Sequence, residues 1–266
     1  MRKRFAMNES QPSQVFFFDN NDSEMQRANE QARANFRYFW RELAWERRRI
    51  VPALDLACVK APFSDGERAA PASGKAEVEE MWISEIDFDG EIVSGVLLNS
   101  PNWLKTVKAG DSVQIPLAQI SDWMYAIQGN VYGAYTVNLI RSRMTPPERR
   151  EHDRAWGLKF GDPSSIRVVP AEQMPETLEH PMSEAMAPPL KDQLAQNPAM
   201  RDSKGEGGWT LLHSQALAGS AATVRVLLES GADPNALTDR GWKPVQLAEA
   251  LGWDKVAALL KNAGAA

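Results

Sequence analysis

The sequence is poor in the residues from which active sites are built. It has one cysteine, Cys58, so no intramolecular disulfide can form, and a reducing compartment is expected. It has three histidines, His152, His180 and His213, and none stands at zinc-ligand spacing from a cysteine or another histidine. No metal and no cofactor is expected. No run of 18 apolar residues exists, which argues against a membrane-spanning helix. After Met1-Arg2-Lys3-Arg4 the apolar stretch of a secretory leader is missing, because Asn8, Glu9, Ser10 and Gln11 interrupt it. Cytoplasm is therefore the expected location. Gly205-Glu206-Gly207-Gly208 lacks the following Lys and Ser/Thr of a phosphate-binding loop. There is no positive surplus either: the net charge is -5, so no nucleic-acid partner is expected.

What is present is material for a folded core. Of 266 residues, 43% are hydrophobic and 24% charged, and nine are tryptophan. That length suits one large domain or two ordinary ones. Charge is uneven: residues 1–60 carry a net of +3 and the remainder -8. Arg47-Arg48-Arg49 reads as a solvated helix end rather than an anion site. Cys58, inside the apolar run Leu54 to Val59, reads as a small core residue rather than a reactive thiol.

Along the chain, residues 1–21 read as a loose or anchoring segment, with Val15-Phe16-Phe17-Phe18 as a short strand or anchor. Ser23 with Gln26 makes a capping-box pattern. Met25, Ala28, Ala32, Phe36, Phe39 and Leu43 then follow at helical spacing, and Tyr38, Trp40 and Trp45 broaden the stripe. Pro62 and the stretch Pro71 to Gly74 break the chain. Residues 81–140 have strand texture. Asp89-Gly90 is a hairpin signal, Val113, Ile115 and Leu117 alternate, and Pro116 among them marks an edge or a bulge. A short helical stretch is expected around Trp103-Leu104. Gln128-Gly129-Asn130 joins the strands Trp123–Ile127 and Val131–Ile140. Thr145-Pro146-Pro147-Glu148 opens a charged helix that runs to about Trp156. About four antiparallel strands with these helices make an α+β domain over residues 22–160. Residues 161–189 read as a surface-packed linker rich in Pro and Met, because Ile166, Val168, Val169, Met174, Leu178 and Met182 are too apolar for a solvated tether. Leu190–Gln196 reads as a short helix.

Residues 190–266 hold the best-supported feature, an internal repeat. Gly208-Trp209 recurs as Gly241-Trp242, Gly219 as Gly252, Leu227 as Leu260 and Gly231 as Gly264, each 33 residues on. The copies resemble the ankyrin repeat, a turn plus two antiparallel helices. Gly231 suits a left-handed helix end and Gly219 a tight turn. Thr210 and His213 resemble the ankyrin Thr and His that hydrogen-bond within the turn, which makes His213 structural. Leu211 stands where the ankyrin Pro usually is, and Gln246 replaces the His in the second copy. Two repeats alone are marginal. The Leu190–Gln196 helix is expected to supply half a preceding repeat, and the stack is expected to lean on the N-terminal domain or the linker.

A second resemblance rests on Val59 to Glu67, Met81-Trp82-Ile83, Ile120-Ser121-Asp122-Trp123-Met124-Tyr125 and Tyr132-Gly133-Ala134-Tyr135-Thr136. Together these resemble a small bacterial family catalogued as domain of unknown function 2314, over roughly residues 22–153. Membership implies a fold and no reaction. Proteins that join this domain to ankyrin repeats look like bacterial accessory proteins, some of which resemble immunity partners of secreted toxins.

The expectation for function is a non-enzymatic protein-binding protein, an immunity protein that blocks a cognate toxin. Its partner-facing candidates are Trp209, Asp239, Arg240, Trp242, Trp253, Asp122 and Trp123. Packing is the competing reading for Trp209, Trp242 and Trp253. Asp122 beside aromatics could be a buried acid or the cap of a turn. An enzyme or small-ligand receptor, with a site around Asp122, Trp123 and Tyr135, and a scaffold in a larger assembly stay as alternatives. A closed polar pocket at those three residues would support the former.

Overall fold

The computed structural model describes residues 22–66, 78–171 and 179–265. The Arg2 to Arg4 cluster, the Val15 to Phe18 run, the Pro71 to Gly74 break and Met174 and Leu178 lie outside them. The described residues form two compact units. The first holds those up to Asn35 and from Pro52 to Val168, and the second holds Phe36–Val51 and those from Val169 on. The boundary falls inside the first helix, α1 (Ser23–Glu46).

The cap of α1 differs from the expected Ser23–Gln26 box. Asp22 Oδ1 accepts from the backbone N–H groups of Glu24 (3.0 Å) and Met25 (3.3 Å). A carboxylate does this better than a hydroxyl here, because Arg143 pairs with its other oxygen at 2.7 Å. The apolar stripe is as read: Ala28, Ala32, Phe36 and Phe39 are buried. At the far end Arg49 pairs with Glu42 and Glu46, while Arg47 and Arg48 lie over the rings of Trp40 and Trp45.

Unit 1 is built on a six-stranded antiparallel sheet where about four strands were expected. Its strands are β1 (Leu54–Phe63), β2 (Glu79–Phe88), β3 (Ile92–Leu97), β4 (Ser112–Pro116), β5 (Asp122–Ile127) and β6 (Asn130–Gly133), in the order β4-β3-β2-β1-β5-β6. β1 hid from periodicity because it lies between two partners with both faces covered: Cys58, Val59, Lys60 and Ala61 are all buried. Pro62 does not break it, since it lies past the last pairing with β5, where β2 alone flanks the strand.

Two other expectations fail for one shared reason: a distant carboxylate serves the backbone. No helix forms at Trp103-Leu104. There Glu79 accepts from the N–H groups of Asn102 (2.7 Å) and Trp103 (3.3 Å), and Asp65 from those of Lys105 and Thr106. The expected strand to Ile140 stops at Gly133, and α2 (Tyr135–Ser142) follows, its cap brought from Asp122. α3 (Pro146–Trp156) starts as predicted, with the Thr145 N–H donating to Glu148 at 2.7 Å. On one face of the sheet, Cys58, Met124, Ala126 and Val131 pack with Val137, Leu158 and Phe160.

In unit 2 the helix expected at Leu190 begins at Pro181, giving α4 (Pro181–Gln196). Pro181 sits in the first turn, where its missing N–H costs nothing, and His180 Nδ1 accepts from Met182 N–H at 3.1 Å. Pro188 and Pro189 lie inside the helix, next to the buried Leu190. Two helix pairs follow: α5 (Leu211–Leu217) with α6 (Ala221–Glu229), and α7 (Pro244–Ala250) with α8 (Asp254–Asn262). Leu190 and Leu194 join Leu212, Val224, Leu227, Val245, Val256 and Leu260 in one core. α4 thus extends the stack, as a repeat that can bury its face only against a neighbour requires.

Candidate functional site

The two repeat turns are tied together. Gly207 C=O accepts from Asp239 N–H at 2.8 Å, and Gly205 N–H donates to Trp209 C=O at 2.7 Å. In the second turn Thr238 N–H donates to Trp242 C=O (3.0 Å) and Trp242 N–H to Thr238 Oγ1 (3.1 Å). His213 joins both. Its Nδ1 accepts from Thr210 N–H at 3.1 Å, which leaves the ring proton on Nε2. Nε2 faces the carbonyls of Ala236 (3.0 Å) and Trp242 (3.1 Å). His213 is therefore structural. On this frame Trp209 and Trp242 are half-buried, and Asp239 and Arg240 are exposed. Beside it lies a shallow depression of about 420 Å³ lined by Arg201, Lys204, Asp233, Asn235 and Leu237, among others.

Burial lowers the pKa of His213 from the ordinary 6.5, and the two accepting carbonyls only partly oppose it. A lowered histidine value means that the unfolded chain binds the proton first. Stability from this group is full above 6.5 and falls as pH drops below it. Glu42 adds to the acid loss. Burial works to raise its carboxyl, but His180 (Nε2 to Oε2, 3.1 Å) and Arg49 (2.8 Å) outweigh it and hold it below 4.5. The melting temperature of unit 2 should therefore fall between pH 7 and pH 5, and again below pH 4.5. His213→Gln, which copies Gln246 of the second repeat, should flatten the first fall and leave the second. Circular dichroism melts across pH read this, and an unchanged first fall in the variant would contradict it.

Trp253 belongs to the packing. Its ring lies edge-on to Tyr38 at 5.9 Å, beneath the guanidinium groups of Arg37 and Arg41, with Nε1–H donating to Leu217 C=O at 3.1 Å. Gly219 makes this possible: its φ is +69°, and a Cβ there would sit 2.4 Å from the Trp253 ring. Arg37 also donates to Gly252 C=O at 2.7 Å. The stack leans on these α1 residues, all within unit 2. His180, which no sequence signal singled out, is buried between Glu42 and the ring of Trp45, stacked at 5.8 Å.

Asp122 and Trp123, offered with the partner-facing residues, are corrected to core. Both are 0% exposed. Asp122 accepts from the N–H groups of Trp123 (2.8 Å), Tyr135 (2.9 Å) and Thr136 (2.8 Å), and from Thr136 Oγ1. It caps α2 from the start of β5. The Lys60 ammonium donates to that same Thr136 oxygen and lies over the Trp82 ring. Trp123 Nε1–H donates to Ala32 C=O at 2.7 Å, and its ring covers Gly133, whose φ is +76°. Tyr135 is 4% exposed, so the three residues offer no open surface on which a ligand could sit. Cys58 is buried too, and burial pushes its thiol pKa well up, which fits a core residue. Among the described residues no group of three His, Cys, Asp or Glu could hold a metal ion, and no helix is long and apolar enough to cross a membrane.

Comparison with known proteins follows the same division. The family described as "Uncharacterized protein conserved in bacteria (DUF2314)" matches residues 22–160, and the ankyrin repeat matches residues 207–239. A protein of Neisseria meningitidis serogroup B, named as an ankyrin repeat protein, is 44% identical over 252 residues, which is 94% of this chain and 97% of that one. The protein YegJ of Escherichia coli K12 is 31% identical over 84 residues, 32% of this chain and 49% of that one. A human protein named as a tRNA endonuclease is 44% identical over 66 residues, only 9% of its length, too small a share to carry its activity here.

Proposed function

The chain belongs to the DUF2314 family and carries an ankyrin repeat after that domain, and on this premise we propose that it is a non-enzymatic protein-binding protein, an immunity protein that neutralises a cognate bacterial toxin. An ankyrin repeat points to protein–protein interaction. The observation that carries the reading is the pair of tied turns. They hold Trp209, Asp239, Arg240 and Trp242 at a surface fixed by His213 rather than on a free loop. Half-buried aromatics beside exposed charges are the composition of an interface centre with its rim. The acidic surplus after residue 60 suits a basic partner, which it would steer and occlude. Asp122, whose two oxygens already accept from four donors, supports a structural role over a catalytic one.

The test is affinity recovery from the native host. The wild-type chain should recover one protein, and the double variant Arg240→Glu with Trp242→Ala should not, with its melting temperature within a few degrees of the wild type. The Trp242 backbone makes the structural bonds, so removing its ring spares them. The recovered protein, produced alone in a naive cell, should arrest growth, and co-production of the wild-type chain should relieve the arrest. Recovery of no specific protein would remove the reading. Recovery of one without toxicity would leave protein binding and remove the immunity role.

A further inference from the structure

We propose that the β4 edge of unit 1 is a docking strand for an extended, basic segment of a partner protein, added as a seventh strand of the sheet. The proposal deepens the protein-binding reading and rests on it, but on different residues from the ankyrin turns.

β4 ends the sheet, and among the described residues no strand lies beyond it. Its register says which groups face outward. Leu97 N–H donates to Asp111 C=O at 3.0 Å and Leu117 N–H to Glu91 C=O at 2.9 Å. Antiparallel pairs alternate between bonded and non-bonded positions. Val113 opposite Gly95 and Ile115 opposite Val93 are thus the bonded pairs. Ser112, Gln114 and Pro116 turn their backbone groups away from β3. Pro116 stands where an N–H would point outward, so it costs the sheet nothing and closes one end of the edge. Ser112 and Gln114 leave two outward N–H groups and two outward carbonyls, the set that an added strand would engage.

Beside this edge lies an open depression of about 630 Å³, lined by Glu85, Ser94, Gly95, Val96, Ser112, Val113 and Gln114. It sits at a bulge: the β2–β3 register shifts between Ser84 and Asp87, and Glu85 has φ +53°. Glu85 is exposed and, among the described residues, brings the only charged side chain to the lining. Charge selects the occupant. Residues 79–120 carry seven Asp and Glu against two Lys. Glu79 and Glu80 are committed to Asn102, Trp103 and Ser121, which leaves Glu85, Asp87, Asp89, Glu91 and Asp111 against Lys105 and Lys108 in the strands and turns next to β4. Glu85 lies two strands in from the edge, so Lys or Arg of an added strand on the side that faces the depression is drawn toward it across the depression rather than paired with it. An acidic one meets like charge.

The test uses the full-length chain and a blocked nonapeptide of alternating lysine and valine. Controls are the glutamate–valine peptide and a lysine–valine peptide N-methylated on alternate residues, which removes its ladder donors and leaves the protein untouched. Amide exchange by NMR should slow at Ser112 and Gln114 with the lysine peptide alone. Glu85→Lys should weaken binding about fivefold. Unchanged exchange at Ser112 and Gln114, or equal binding of either control, would overturn the docking strand. That result would leave recovery of a partner through the ankyrin turns unaffected. Loss of recovery with a bound peptide would overturn only the role of the turns.

Discussion

Asp122→Ala should destabilise unit 1 by about 4 kcal/mol, the loss expected when one partner of a buried charged network is removed. Four donors lose their acceptor at once: three backbone N–H groups and the Thr136 hydroxyl. Tyr135 and Thr136 open α2, and the preceding Ala134 is left-handed, so no local side chain can replace the cap. The Lys60 ammonium is left buried against a hydroxyl with no carboxylate behind it. Asp122→Asn, which keeps the shape and two acceptor sites on one oxygen, should cost about half as much. Urea unfolding followed by tryptophan fluorescence reads both. A loss below about 1 kcal/mol in Asp122→Ala would show that α2 is held by its apolar face alone.

Trp253→Ala should cost unit 2 about 3 kcal/mol, the low end of the range for removing a large aromatic, because the half-buried ring packs against the core rather than inside it. The ring fills the space that Gly219 leaves open, meets Tyr38 and lies under two guanidinium groups. Losing it leaves a cavity over Gly219 and an unpaired Leu217 carbonyl. Trp242→Ala should cost less than about 1 kcal/mol, since its backbone makes the structural bonds. The two tryptophans are equivalent by sequence type but opposite in use. Thermal melts of both variants at one pH separate them. Equal losses would contradict the division between packing and surface.

The repeat was legible because its signals are local. Gly219, Gly231, Thr210 and His213 each answer a backbone need within a few residues of themselves. The helices that start at Thr145 and run through Phe36 and Phe39 were legible for the same reason. What the sequence hid depends on distance. The end of β6, the start of α2 and the loop after Pro101 are decided by Asp122, Glu79 and Asp65, which lie far along the chain from the backbone that they serve. A carboxylate next to tryptophan reads locally as a candidate acid, and only the fold reveals that its partners are N–H groups 13 and 14 residues on. His180 stayed hidden because its partner Glu42 is 138 residues away. Among the candidate surface residues, Trp209, Asp239, Arg240 and Trp242 share one pair of turns, Trp253 turns to packing, and Asp122 and Trp123 lie in the core.

The central claim is that the tied turns are the surface a protein partner meets. Hydrogen–deuterium exchange of the full chain, alone and saturated with the partner recovered from its host, tests it most directly. Exchange should slow across residues 205–209 and 238–242, with α5 to α8 unchanged at their buried positions. Exchange at those turns that stays the same on saturation, with protection elsewhere, would contradict it.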